Sequence, residues 1–272
     1  MSTVTKKDKY NILLKNLKKL SPFVLAFSGG VDSTFLTAAA LDAEVEFEAV
    51  TVNTPFVPEK EIKEVEELVK KLNFEHRQLD IELFELEKAL GNTAERCYFC
   101  KQIIFSKIKE YAGGKKVIEG SNLDDTGDYR PGRKALKELQ VKSPLLDAGL
   151  TKKEIRDLSK KLGLSTWNKP TLSCLATRVS YNDQITAEKL EKIDLAEELM
   201  RKNGFVQFRV RDHNNLARIE IAPQERKKIL DLNLMDKIHS KLEKLGFQYV
   251  TLDLSAYESG SMNKEILEDN YE

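Results

Sequence analysis

An α/β fold, a doubly wound parallel sheet followed by a smaller C-terminal α+β domain, is predicted by three features of the 272-residue chain. Over residues 1–180, short apolar β-prone runs alternate with stretches of helical periodicity, the pattern of a parallel sheet with crossover helices. The first such run, Phe23-Val24-Leu25-Ala26-Phe27, passes through Ser28-Gly29-Gly30-Val31-Asp32-Ser33 directly into an Ala/Leu-rich helix ending near Leu41. Beyond a long loop at 163–182 the period changes to a hairpin, a helix and a last strand, which makes 181–257 the smaller domain. Residues 258–272 form a polar, acidic tail, loose apart from Gly260-Ser-Met-Asn263.

The elements follow from local chemistry. Tyr10, Leu13, Leu14, Leu17 and Leu20 are spaced for one face of a helix over 6–20. After the glycine turn and its helix, Glu46 to Val52 reads as a second strand ending at Asn53-Thr54-Pro55, and Glu59 to Leu72 as an amphipathic helix. Phe74 to Leu79 is a third strand and Leu83 to Leu90 a short helix. Cys97-Tyr-Phe-Cys100-Lys101 opens a helix that runs to Tyr111 and stops at Gly113-Gly114. Lys116 to Glu119 gives a fourth strand, which opens at Gly120 into a polar loop reaching Gly132. Gly132 to Leu139 reads as helical and Val141 to Leu145 as a fifth short strand. Thr151 to Leu162 is a helix with Thr151 and Glu154 placed for a capping box. In the smaller domain Thr186 opens a helix to Lys202, Phe205–Arg211 and Leu216–Ile221 pair through Asp212–Asn215, Pro223 to Leu245 is helical, and Phe247 to Leu254 is the last strand.

Composition narrows the function. Charged residues are 32%, yet 44 basic and 44 acidic side chains cancel to a net charge of +0, which argues against a dedicated nucleic-acid or membrane surface. No apolar run approaches the ~20 residues a bilayer requires, and the polar start Met1-Ser-Thr-Val-Thr-Lys-Lys carries no signal-peptide core. Three cysteines do not make a disulfide framework, so a cytoplasmic protein is expected.

A strand, a glycine turn and a helix N-terminus together hold phosphate: the backbone approaches closely, free N–H groups point outward, and the helix dipole favours an anion. Ser28 and Ser33 add hydroxyls beside Gly29 and Gly30, and Asp32 can hold a Mg²⁺ that rides on the phosphates. The spacing is not the Walker pattern. An unspecific glycine turn would explain the glycines but not the six-residue run. Ligands of doubly wound sheets sit at the carboxyl ends of the strands, where this loop, Asn53 and Gly120 all fall.

Cys97 and Cys100 stand i, i+3 at a helix start, so both thiols share a face near the positive end of the dipole, which favours thiolate. Cys174 lies in the long loop, and His76, His213 and His239 sit in unrelated contexts. Structural zinc would want a fourth ligand. Three thiolates suit a 4Fe–4S cluster with one open iron. A redox pair passing a persulfide, and a pair of buried small hydrophobes, are the other readings of Cys97 and Cys100.

The run Ser28 to Ser33 resembles the pyrophosphate loop (PP-loop) of the ATP pyrophosphatase superfamily, whose members split ATP into AMP and pyrophosphate. Glu119-Gly-Ser-Asn-Leu-Asp-Asp-Thr-Gly-Asp-Tyr-Arg-Pro-Gly132, Trp167-Asn-Lys-Pro170, Cys174-Leu-Ala-Thr-Arg178, Phe208-Arg-Val-Arg-Asp-His213, Ala217-Arg-Ile-Glu220 and Tyr249-Val-Thr-Leu-Asp-Leu254 look like the LarE family, collinearly over nearly the whole chain. The resemblance implies an adenine nucleotide alpha hydrolase-like fold and an ATP-dependent sulfur transferase. Such an enzyme adenylates the carboxylates of pyridinium-3,5-biscarboxylic acid mononucleotide and converts them to thiocarboxylates, for the nickel-pincer nucleotide cofactor of lactate racemase. It further implies that Ser28, Gly29, Gly30, Asp32, Ser33, Asn53, Gly120, Arg130 and Arg178 bind ATP, with Mg²⁺ on Asp32, and that Arg209 and Arg211 clamp the substrate phosphate. From spacing alone that strand face could equally be a solvated edge. Glu197, Arg218 and Glu220 fall on the same side with less defined roles. One branch of the family has a single loop cysteine that surrenders its sulfur; the set Cys97, Cys100 and Cys174 suits a 4Fe–4S cluster that carries sulfide repeatedly. The resemblance also implies a homo-oligomer and a sulfide or other sulfur donor. Rival readings are a tRNA-thiolating enzyme of the same superfamily, an amidating synthetase of the NAD or GMP synthetase type, and a nucleotide-binding regulatory module.

Overall fold

The computed structural model describes residues 5–126, 131–170 and 173–258. Helix α1 (Lys6–Leu20) leads into strand β1 (Phe23–Ala26), followed by α2 (Val31–Asp42), β2 (Phe47–Asn53), α3 (Glu59–Leu72) and β3 (His76–Asp80). Then come the short α4 (Glu87–Leu90), α5 (Arg96–Ala112), β4 (Lys116–Ile118), α6 (Pro131–Glu138), α7 (Pro144–Asp147) and α8 (Lys152–Lys161). The remainder is α9 (Ala187–Lys202), β5 (Phe208–His213), β6 (Leu216–Ile221), α10 (Arg226–Ile229), α11 (Leu232–Lys244) and β7 (Tyr249–Leu252). The chain divides into two units. The first holds residues up to Thr54, Glu59–Leu86 and Cys97–Leu172; the second holds Pro55–Pro58, Glu87–Arg96 and the chain from Ser173 on.

In the first unit the strands run parallel in the order β3-β2-β1-β4, as a doubly wound sheet requires. Alternate residues of β1 serve opposite faces. Phe23 and Leu25 pack with Leu13 and Leu17 of α1, Phe35 and Leu36 of α2, Val65 of α3 and Ile155 of α8. Val24 packs with Phe105 and Ile108 of α5 and Leu136 of α6. Each such fully buried side chain contributes about 1.5–3 kcal/mol. The connection reverses direction between β1 and β4, so the switch point lies beside the glycine turn that follows β1.

Thr151 accepts from Glu154 N while the Glu154 carboxylate takes Thr151 N, the expected capping box at the start of α8. Thr151→Ala is expected to destabilise the protein by about 1 kcal/mol, read as a lower urea midpoint. The expected fifth strand is corrected. Lys142 makes a single parallel bridge to Ile118, and the next residues turn into α7, whose first position is Pro144.

In the second unit β5 and β6 form the expected antiparallel hairpin, and β7 pairs parallel to β6. The core lies between this sheet and its helices, with Ala196 and Met200 of α9, Phe208, Val210, Ile219, and Ile238 and Leu242 of α11. The continuous helix expected over 223–245 is broken into a 3-10 turn, α10 and α11, because the Asp231 carboxylate caps Leu234 N and starts a new helix. The long loop contains a 3-10 turn, Leu175–Arg178, with Cys174 at its N-cap. Gly260-Ser-Met-Asn263 lies outside the described residues.

Candidate active site

The first unit builds a phosphate-shaped turn. Gly29 adopts φ +65, a conformation that suits glycine, and a Cβ there would stand 2.8 Å from Val65 Cγ2. Gly30 is the N-cap of α2 and gives it no side-chain cap, so the positive end of the helix stays open to an anion. Ser28 and Ser33 hydroxyls lie 3.1 Å apart, and Ser33 Oγ donates to Gly30 O, so the two serines hold the turn in shape. Gly120, just past β4, closes on the same helix start: its Cβ would meet Ser33 N at 3.1 Å and Asp32 Cβ at 3.2 Å. Asn53 ends β2 and donates to Asp80 Oδ1 at 2.9 Å. The loop and Gly120 are thus brought together at the carboxyl ends of the strands, with Asn53 at the end of its own strand. Arg130 lies outside the described residues.

Asp32 is the charged centre of this turn. Its Oδ2 meets Lys152 Nζ at 2.5 Å, while its Oδ1 is buried with no hydrogen-bond partner among the described residues. Burial pushes the Asp32 carboxyl above its usual range, against the restraint of Lys152. An orphaned buried carboxylate oxygen beside a phosphate-shaped turn fits a divalent cation. Lys169 adds a second cation: its Nζ donates to Gly29 O at 3.1 Å and pairs with Glu64 at 2.7 Å. Burial works against the Glu64 carboxylate, but Lys169 holds its pKa below the usual range. Arg156 braces this arrangement by donating to the carbonyls of Trp167 and Lys169. Lys152 and Lys169 were not among the residues singled out from the sequence. The signals available were the capping box, which puts Lys152 at the first position of α8, and the run Trp167–Pro170.

Cys97 and Cys100 stand on the first two turns of α5, at a helix start as expected; Cys97 is exposed and Cys100 half-buried. The start of α6 presses on this turn. A Cβ on Gly132 would lie 2.7 Å from Lys101 Cδ and 3.3 Å from Cys97 O, and Tyr98 bonds Glu138 at 2.8 Å. Among the described residues no three His, Cys, Asp or Glu side chains gather as a metal ion requires. The cysteines supply the donor type of a 4Fe–4S cluster, Cys97 and Cys100 from the first unit and Cys174 from the second. His76 bonds Thr51, and burial lowers its pKa; His213 bonds Ser180; His239 is exposed beside Glu243.

The second unit holds Cys174, half-buried, and a set of buried arginines. Arg178, which the resemblance assigns to ATP, is 1% exposed. Its Nε and Nη2 bond Glu197 at 2.9 and 3.1 Å, and its Nη1 donates to Cys174 O at 2.9 Å and also reaches the Ser173 carbonyl. Arg209 and Arg211 share one face of β5, as two-residue spacing dictates, but that face is buried and not a solvated edge. Arg211 forks onto Glu220 at 2.5 and 2.7 Å and donates to Thr177 O at 2.8 Å. Arg218 meets Glu220 at 3.2 Å and Asp253 at 3.3 Å. Arg209 donates to Phe208 O and Tyr257 Oη and lies 4.9 Å over the Tyr257 ring. Burial, then the neighbouring Arg178 charge, hold its pKa below the ordinary arginine value. A buried arginine group of this kind is suited to an anion.

Among the described residues no helix is long and apolar enough to cross a membrane. Residues 22–97 match the queuosine biosynthesis protein QueC family, a stretch that takes in β1, the glycine turn and α2. An uncharacterised protein of Synechocystis sp. is 35% identical over 259 residues, 92% of this chain and 97% of its own. An uncharacterised protein of Methanocaldococcus jannaschii is 34% identical over 249 residues, covering 90% of this chain and 94% of its own. The pyridinium-3,5-bisthiocarboxylic acid mononucleotide synthase of Lactiplantibacillus plantarum is 33% identical over 256 residues, 92% of each chain. With identity of that order along nearly the full length, and a PP-loop at the carboxyl edge of a parallel sheet, the chain belongs to the LarE family of ATP-using PP-loop enzymes.

Proposed function

We infer that this enzyme is an ATP-dependent sulfur transferase that turns the carboxylates of pyridinium-3,5-biscarboxylic acid mononucleotide into thiocarboxylates. The observation that carries the reading is the open start of α2, with the orphaned Asp32 oxygen beside it, in a chain so similar to the Lactiplantibacillus synthase. A carboxylate is a poor electrophile until one oxygen becomes a good leaving group. In this reading Ser28, Gly29, Gly30, Ser33, Asn53 and Gly120 orient ATP so that a substrate carboxylate oxygen attacks the α-phosphorus and pyrophosphate departs. Backbone N–H groups of the turn and the α2 dipole stabilise the charge that develops on the departing phosphates. Asp32 would hold Mg²⁺, which would neutralise phosphate charge. Arg130 adds a further cation. Arg209 and Arg211, both buried, hold the substrate's own phosphate, and low local dielectric strengthens such contacts.

Sulfide, or a cysteine thiolate, then attacks the acyl carbon, and AMP leaves with the bonding pair; sulfide gives the thiocarboxylate directly, whereas a cysteine sulfur gives a thioester whose Cβ–S bond breaks as the Cα proton is lost, leaving dehydroalanine. Cys97, Cys100 and Cys174 are the sulfur-handling residues, and Arg178 places Cys174 by gripping its carbonyl. A 4Fe–4S cluster on the three thiolates would supply an iron with an open position for sulfide; no step here depends on it. A cytoplasmic homo-oligomer taking a small nucleotide and a sulfur donor completes the reading.

The test is iron, acid-labile sulfide and the visible spectrum of protein purified without oxygen, beside Cys97→Ala, with AMP, pyrophosphate and thiocarboxylate followed on the proposed substrate. Matched iron and sulfide, lost in the variant, support repeated sulfide delivery. Iron-free protein that still thiolates assigns the sulfur to the cysteines themselves, and the mass of the Cys174 peptide separates persulfide from sacrifice. Absence of AMP and pyrophosphate under the substrate overturns the reading.

A further inference from the structure

The Asp32 side chain is 22% exposed, yet only one of its carboxylate oxygens has a partner among the described residues. Lys152 serves Oδ2 at 2.5 Å, and Oδ1 is buried and unserved among the described residues. The Gly120 backbone packs against the base of Asp32, where a Cβ on Gly120 would stand 3.2 Å from Asp32 Cβ. Lys152 is mounted the other way. Its main chain is fixed at the start of α8 by the Thr151–Glu154 capping box, and its own N–H donates to Asp124 Oδ2 at 2.9 Å. Its ammonium, in contrast, sits on four rotatable methylenes with the side chain 27% exposed, so it can re-aim without moving the helix. A divalent cation is a better partner for Asp32 than one ammonium, yet it cannot share the carboxylate with Lys152 without like-charge repulsion. The nearest relief for a displaced ammonium is the phosphate group that the same turn receives.

We propose that Lys152 is an exchangeable counter-ion: it holds Asp32 in the empty loop, yields Asp32 to the divalent cation when the nucleotide enters, and re-pairs with the nucleotide's phosphates. This rests on the reading of Asp32 as the cation holder. In the empty protein the lysine keeps free divalent cations out; with nucleotide present it becomes a phosphate ligand. The exchange makes cation and nucleotide bind together and not separately, a coupling through differential contacts in two states.

The test is Mn²⁺ binding to the full chain, read as loss of the free-ion paramagnetic resonance signal with and without ATP, for wild type, Lys152→Met, Lys152→Arg and Asp32→Asn. Removing the competing charge should tighten Mn²⁺ roughly tenfold in Lys152→Met without nucleotide. The same variant should bind Mn²⁺·ATP roughly tenfold more weakly, since one phosphate contact is lost. Lys152→Arg keeps the charge and should follow wild type in the nucleotide-free titration. Unchanged or weaker Mn²⁺ binding by folded Lys152→Met overturns the exchange while leaving Asp32 as cation holder. If Asp32→Asn binds Mn²⁺ as wild type does, with and without ATP, the cation reading itself falls and the exchange with it.

Discussion

Gly29→Val is expected to lower ATP-dependent pyrophosphate release at least a hundredfold in kcat/KM. Two costs coincide at this residue. The backbone stands at φ +65, which costs a residue with a Cβ roughly 1–2 kcal/mol, and more for a β-branched one. The new Cβ would also stand 2.8 Å from Val65 Cγ2 on α3, in a core that has no slack. Either the turn or α3 must move, and a shift of about 1 Å in a positioning element can cost two orders of magnitude. Gly120→Val should behave alike, because its Cβ falls on Ser33 N and Asp32 Cβ, the groups that face the phosphates in the proposed reading. Gly91→Ala is the control: nothing lies within 4 Å of its Cβ, and rate and melting temperature should hold. Pyrophosphate release and thermal unfolding, measured on all three variants, decide the matter. Equal losses in Gly29→Val and Gly91→Ala would mean that the turn does not place the phosphates.

What the sequence revealed of this site was whatever is written locally. The glycine turn carries its geometry in consecutive residues, and the strand before it and helix after it are recognisable from apolar pattern alone. Lys152 and Lys169 were invisible for the opposite reason. They reach Asp32 and Gly29 across 120 and 140 residues of chain, so no window of sequence shows the pairing. The alternation in Phe208-Arg-Val-Arg-Asp-His213 correctly predicted a strand and a shared face for its arginines. It could not show that Glu220 and Tyr257 cover that face, which depends on tertiary packing. The apolar run at Val141–Leu145 read as a strand, but Ser143-Pro144 starts a helix after a single bridge. The break at Leu230-Asp231 was in fact legible, since Asp followed by a helical stretch is an N-cap signal.

The second large effect lies in the other unit. Glu197→Leu and Arg178→Met are each expected to destabilise it by about 3–5 kcal/mol, because either one takes from a buried charge its forked partner, and Arg201, 3.8 Å from Glu197, stands too far off to replace Arg178. The side chains are 4% and 2% exposed, so water cannot take the missing role. Glu197 also accepts from Val210 N at 3.3 Å, which ties α9 to β5 through the same carboxylate. The double variant Arg178→Met/Glu197→Leu removes both charges and should recover most of the loss, giving strongly non-additive effects in urea titrations. Activity should part from stability here. Arg178 Nη1 grips the carbonyls of Ser173 and Cys174 as well as Thr177 Oγ1, and methionine cannot. A refolded double variant should therefore form AMP and pyrophosphate yet transfer sulfur poorly, since the grip on the Ser173 and Cys174 carbonyls has been lost. A double variant that regains stability and thiolates at the wild-type rate would instead make the pair a brace for α9 and β5, with no part in presenting the cysteine.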